Sequence, residues 1–243
     1  MGNSVMTKNI LDCRMADVDA EDSHGRTALH HAMEQNITEL ASMLLVAKAN
    51  PDSVDYTGLT PTHLACMHGM IDLFNLLMYY KADACVVDKS GKTPFDLACE
   101  HGKLKMAERI LDCGIAQSVL RNAGETHTAS ALHLAARMGH VQIVSLLVES
   151  NWPLNRVTAR GSALHEAAAF GRTQVVRFLL HAGIDVSITN SAGQTALEFA
   201  KKNSQRNPIT YKEIRFLLKE PVMSDEVSLQ PPGDAARDEV HHT

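Results

Sequence analysis

One short pattern recurs six times along this 243-residue chain, and the recurrence constrains its fold more than any other feature. The copies are "GRTALHHAMEQN" (25–36), "GLTPTHLACMHG" (58–69), "GKTPFDLACEHG" (91–102), "SALHLAARMG" (130–139), "GSALHEAAAFG" (161–171) and "GQTALEFAKK" (193–202). A Thr or Ser opens each one: Thr27, Thr60, Thr93, Ser130, Ser162 and Thr195. Successive spacings are 33, 33, 37, 32 and 33 residues. A unit of this size cannot bury an apolar face alone, so the units must stack against one another.

Each recurring residue type has a physical task. The hydroxyl of the opening residue caps a helix by accepting a backbone N–H. Pro61 and Pro94 follow it, where a missing donor costs nothing. Leu132, Ala135 and Ala136 are apolar or small and let neighbouring helices approach. Gly69, Gly102, Gly139 and Gly171 supply a tight turn. A second apolar helix follows, as in "HVQIVSLLV" (140–148) and "TQVVRFLL" (173–180). "HAGIDVSITN" (181–190) ends its helix at Gly183 and enters a hairpin-like turn. A period of 33 around a Thr-Pro-Leu-His-like core resembles ankyrin repeats. The expected fold is an all-α ankyrin-repeat solenoid: helix-turn-helix pairs, hairpin-like connecting turns and a curved stack.

"GSALHEAAAFG" also begins like a zinc-protease motif, with His165 beside Glu166. The second His, one helical turn on, is missing, because that position is Ala169. His30, His63, His133 and His165 instead share one repeat position, with Asp96 and Glu198 there in the third and sixth copies. Ligands dispersed one per repeat cannot converge on a metal. The expected role is structural: each His ties its own turn to the next repeat, and a carboxylate substitutes where acceptors suffice. No phosphate-binding, dinucleotide-binding or nucleophile-elbow motif is present, so no catalytic, cofactor or metal residues and no small-molecule substrate are expected. The chain reads as a non-enzyme.

Charge narrows the partners. The net charge is −5, and residues 220–243 account for all of it with six acidic residues and one basic. The first 219 residues balance at 22 of each sign, which lacks the footprint of a nucleic-acid binder. Five cysteines without a CxxC pair point to reduced thiols in the cytosol or nucleus, and the expected localisation is cytoplasmic. No secretory signal and no membrane-spanning run are read. "MGNSVM" carries half of a myristoylation motif at Gly2, with Met6 where Ser or Thr is usual.

The irregularities define the boundaries. Residues 1–22 read as a partial N-terminal repeat or cap, with Met15 where a helix-ending Gly is expected. The first complete repeat is therefore expected to fray first. Residues 23–219 hold six repeats. The 37-residue spacing marks an insertion whose tip, 121–128, reads as an exposed loop. In the last repeat 203–211 read as extra residues between helices, Pro208 forbids one continuous helix, and 212–220 close the stack. Residues 220–243 read as a disordered acidic tail.

The order of these departures resembles the ankyrin block of Caskin-type scaffold proteins. The similarity lies in "VVDKSGKTPFDLACEHGKL" with Asp in place of His, then the insertion, then "SALHLAARMGHVQIV", "GSALHEAAAFGRTQVVRFLLHAGIDV" and the interrupted last repeat. It is closest over 85–219. It implies a cytoplasmic, often neuronal, signalling adaptor whose family continues into SH3 and paired SAM domains. The 243 residues carry neither, as expected of a short form, a divergent relative or a fragment.

A solenoid of this kind lines its concave face with turn tips and first helices. The expected protein-binding residues are Tyr56, Leu59, Met67, His68, Glu100, His101, Arg137, Met138, Arg160 and Phe170. Tyr56, Met67, Arg137, Met138 and Phe170 are interface-anchoring types, although Met67, Met138 and Phe170 also suit packing between repeats. The expected function is a protein–protein interaction module or adaptor. The alternative is an ankyrin block regulating a larger enzyme complex, or a substrate of an asparagine hydroxylase. For the latter Asn155 is the candidate, since related ankyrin Asn residues can be hydroxylated; Asp19, Asp52, Cys85 and Ser187 occupy the equivalent sites.

Overall fold

The computed structural model describes residues 17–115, 130–203 and 208–219. Gly2, Met15, the 121–128 loop and the acidic segment 220–243 lie outside these residues. The described residues form twelve α-helices and no strand. In chain order they are α1 (Ala28–Glu34), α2 (Thr38–Val46), α3 (Pro61–His68), α4 (Ile71–Tyr79), α5 (Pro94–Glu100), α6 (Leu104–Asp112), α7 (Ala131–Met138), α8 (Val141–Glu149), α9 (Ala163–Ala169), α10 (Thr173–His181), α11 (Ala196–Asn203) and α12 (Pro208–Lys219). They pair as six helix-turn-helix units.

The odd-numbered helices form one layer. Each packs against the next along the stack, and the even-numbered helices form a second layer outside them. The first layer is almost wholly buried, because its helices meet neighbours on both sides. In α7 every residue from Ala131 to Ala136 is buried. Small residues make this spacing possible: Ala32, Ala65, Ala98, Ala135 and Ala167 are fully enclosed. The outer helices bury only one stripe, such as Leu73, Phe74 and Leu77 in α4. The repeats share one continuous core, and α5 packs directly on α7 despite the longer spacing between them.

Helix ends follow local chemistry. Thr60 and Thr93 accept the amide N–H of His63 and Asp96, and Pro follows each cap. Gly69 and Gly139 take left-handed φ values of 76° and 90° at the turn between helices. In the first repeat Asn36 takes that conformation, with φ 54°, the non-Gly type that tolerates it best. The last repeat differs from its sequence reading. α11 runs to Asn203 and the closing helix begins at Pro208, not at 212. Proline suits a first helical position, so Pro208 starts the helix that it was expected only to interrupt.

Candidate functional site

The shared His position is a two-ended tie. In the second repeat the Thr60 N–H donates to His63 Nδ1 at 3.1 Å. His63 Nε2–H donates in turn to the carbonyl of Lys92 in the next repeat, also at 3.1 Å. His30 reaches Leu59, His133 reaches Gly161 and His165 reaches Gln194 in the same way. Since a carbonyl can only accept, Nε2 carries the proton, and where the capping residue's N–H points at Nδ1 that atom must stay bare. The rings of His30, His63 and His165 are therefore held neutral, while His133 Nδ1 faces the Ser130 hydroxyl at 2.7 Å. Burial pushes His133 down to about 4 and also lowers His30, His63 and His165.

Asp96 and Glu198 keep only half of this device. Asp96 Oδ2 accepts the N–H and hydroxyl of Thr93, and Glu198 Oε2 accepts those of Thr195. An ionised carboxylate has no proton to give to a neighbouring carbonyl. It completes the local cap but cannot donate to a carbonyl of the next repeat as His does. The two carboxylates fall where the regular 33-residue step ends: before the 37-residue spacing and in the last repeat.

The tips are fixed by a second set of residues that the sequence reading passed over. Asp22, Asp55, Asp88 and Asn190 each stand five residues before the opening Thr. Each accepts two backbone N–H groups of its own turn through Oδ1. The amides of Arg26 and His24 hold the Asp22 carboxyl down at about 2. Adjacent tips join by backbone bonds, Tyr56 N–H to His24 O and Lys89 N–H to Thr57 O. Tyr56, 60% exposed, lays its ring against Gly25, where a Cβ would come within 2.4 Å of the ring.

The tips and the ends of the first-layer helices make one continuous face, here called the inner face. In repeats one and three the residue before the opening Thr pairs with one seven positions after it: Arg26 with Glu34, and Lys92 with Glu100 at 2.6 Å. In repeat two the same positions hold Leu59 and Met67, both half-buried. His68 and His101 are exposed at the ends of their helices.

Repeat five is built differently. Its tip is one residue shorter, ending in a Thr158–Gly161 bridge directly before Ser162. That brings Arg160 over Glu166 on α9, where Arg160 Nε and Nη2 both bond its carboxylate, the latter at 3.2 Å. Arg137 approaches the same carboxylate at 3.7 Å from α7. Glu166 is only 5% exposed. The residues at its position in repeats two, three and four are Leu64, Leu97 and Leu134, all buried. Both guanidinium groups also lie over Phe170, at 4.9 and 5.9 Å from the ring centre, and Arg160 lies 5.5 Å from Phe199. Met138, 43% exposed, and Phe170, 37% exposed, occupy matching positions in successive repeats. Five side chains thus converge, of which sequence reading had named Arg137, Arg160 and Phe170 but neither Glu166 nor Phe199. The available signal was a charge and an aromatic ring in a column that holds His31 in the first repeat and Leu in the second, third and fourth.

Asn155 lies elsewhere, on an exposed turn, and its Oδ1 accepts the Asp185 N–H at 2.9 Å. Asp19 and Asp52 receive the amides of Asn50 and Asp83 in the same manner. Among the described residues no group of His, Cys, Asp or Glu is placed to hold a metal, and no helix is long and apolar enough to cross a membrane. Burial raises the Cys66 and Cys99 thiols, which makes them poor nucleophiles.

A profile described as ankyrin repeats (3 copies) matches residues 1–88, 39–122 and 113–190. No curated protein matches the chain. Among solved structures, the ankyrin repeat domain of Bcl-3, described as a unique member of the IkappaB protein family, is similar with a TM-score of 0.67. The two are 23% identical, over 88% of this chain and 94% of that one. The human ASB11 ankyrin repeat domain is similar with a TM-score of 0.69 at 21% identity, over 90% of this chain and 96% of the other. At these identities the likeness speaks for the fold, and with the profile spanning most of the six units the chain belongs to the ankyrin-repeat family.

Proposed function

We propose that this chain is a protein-interaction module that holds a partner against its inner face, as an adaptor in cytoplasmic signalling scaffolds. One observation carries the reading: an exposed Phe170 ring is fixed between two guanidinium groups that are anchored on a buried carboxylate. Rigid aromatic and Arg side chains bind at low entropic cost and dominate interface energies. Asp96 in the His position, the 37-residue step and the interrupted last repeat support a place among Caskin-type scaffolds. In this reading 220–243 serve as a connecting segment. Tyr56, Leu59, Met67, His68, Glu100, His101 and Met138 form the remainder of the binding face.

Site-specific photocrosslinking tests the assignment. A benzophenone side chain at Met138 or Tyr56 should capture partners in cells, and one at Tyr79 on the outer layer should not. Capture from Tyr79 alone would overturn the inner-face reading. A second reading, asparagine hydroxylation, is supported by the exposure of Asn155 in its turn. Protein isolated from cells should then carry one added oxygen on Asn155; its absence at normal oxygen would dismiss this reading.

A further inference from the structure

The charges of the inner face do not close evenly. In repeats one and three the cation before the opening Thr has its own acid, Arg26 with Glu34 and Lys92 with Glu100. In repeats four and five Arg137 and Arg160 share the single carboxylate of Glu166. Arg160 spends Nε and Nη2 on it. Arg137 Nε stands 3.7 Å away, beyond hydrogen-bond range, so its donors remain available. Lys202 occupies in the last repeat the position of Arg137, and it is exposed with no acid paired to it among the described residues. Glu198, the nearest carboxylate in sequence, is engaged in capping Thr195. An apolar edge, Met138 and Phe170, runs beside these cations.

We infer that this end of the inner face binds an acidic protein segment, seating an Asp or Glu carboxylate on Arg137 and Arg160 with an apolar neighbour of that residue against Met138 and Phe170. The inference deepens the proposed function and rests on it. Two features favour a carboxylate-bearing peptide. Guanidinium groups match a carboxylate in two-point hydrogen bonding. Orientation by Glu166 removes most of the rotamer freedom that free Arg side chains would lose on binding. A nucleic-acid strand would need a long basic track, and the balanced charge of residues 1–219 provides none. Glu166 acts here as a positioning residue, since the guanidinium groups cover it.

The test uses the full chain and a displayed library of random dodecapeptides. Selected peptides should be enriched in Asp or Glu next to an apolar residue. Synthetic copies should bind about tenfold more weakly to Arg137→Gln, and about threefold more weakly to Arg137→Lys, which keeps the charge but not the two-point hydrogen bonding. Glu166→Gln keeps the shape but removes the carboxylate that orients the guanidinium groups, so it should weaken binding several-fold. Circular dichroism confirms that each variant folds. Peptides without acidic enrichment that are nevertheless lost with Phe170→Ala would overturn the acidic class and leave the inner-face module standing. Peptides that bind Arg137→Gln and Phe170→Ala as well as the parent would overturn both. Failure to select any peptide, or tighter binding of oligothymidylate at this site, would overturn the acidic-segment inference.

Discussion

The two ends of the stack use one backbone for different surface chemistry. In the first three repeats Arg26 and Lys92 are each closed by their own acid, with Leu59 and Met67 between the two pairs. In the fourth and fifth repeats a carboxylate enters a buried Leu column and draws two guanidinium groups around an aromatic ring. The caps and inter-helix turns differ little between the ends, whereas the tip of repeat five is one residue shorter. A repeat protein can therefore acquire a site by changing one core position, provided that a shortened tip supplies the counterion. Glu166 and Arg160 are such a pair: neither makes sense without the other, since a lone buried charge is costly.

The largest expected effect asks whether both ends stand on the same frame. His63→Ala and His133→Ala should each destabilise the fold by about 3 kcal/mol, through lost caps and unsatisfied buried partners. Chemical denaturation would measure both, and a clear inequality would mean that the ends are not built alike. A comparable effect comes with pH. His133 in the fold takes up a proton only near pH 4, below its ordinary value of 6.5. Between those values the unfolded chain binds protons that the native chain refuses. Stability should be complete above about pH 6.5 and fall by about 3 kcal/mol from this residue as pH drops to 4. His133→Gln should flatten that part of the pH–stability curve; an unchanged slope would remove His133 from the explanation.

A smaller effect separates the two charge arrangements. Arg160→Ala strips Glu166 of its hydrogen-bonded counterion and should cost about 2 kcal/mol. Arg26→Ala opens an exposed pair and should cost about 0.5 kcal/mol. Similar costs for the two variants would erase the distinction between them. The smallest expected difference lies along the stack. Hydrogen exchange in 27–46 should be faster than in 131–180, by about 1 kcal/mol in opening free energy, because among the described residues repeat one packs against a full repeat on one side only. Equal protection would show that the first unit is as firmly held as the centre.

Much of the fold was legible because the pattern is periodic and its signals are local. Thr60, Pro61 and Gly69 mark a cap, a first turn and a helix end by their own backbone preferences. The start of α12 was harder to read. Pro208 signals a break and a start equally well, and packing against α10 and α11 decides between them. The candidate site was legible in part. Arg137, Arg160 and Phe170 stand out by register and residue type, but their grouping depends on a one-residue shortening whose geometry a linear reading does not convey. Glu166 was seen first as half of a zinc motif that Ala169 leaves incomplete. Its role emerges only once the surrounding column is known to be leucine.

The exchange of His for carboxylate at Asp96 has a mechanical consequence. Each histidine is a fastener between one unit and the next, present at the joints after repeats one, two, four and five. After repeat three the joint is made differently: Asp96 stands in that position, α5 packs on α7, and His140 Nε2–H donates to the Glu100 carbonyl at 2.9 Å. Under tension applied at its ends, this joint therefore passes force through the turn between α7 and α8, where the others pass it through the caps of their first helices.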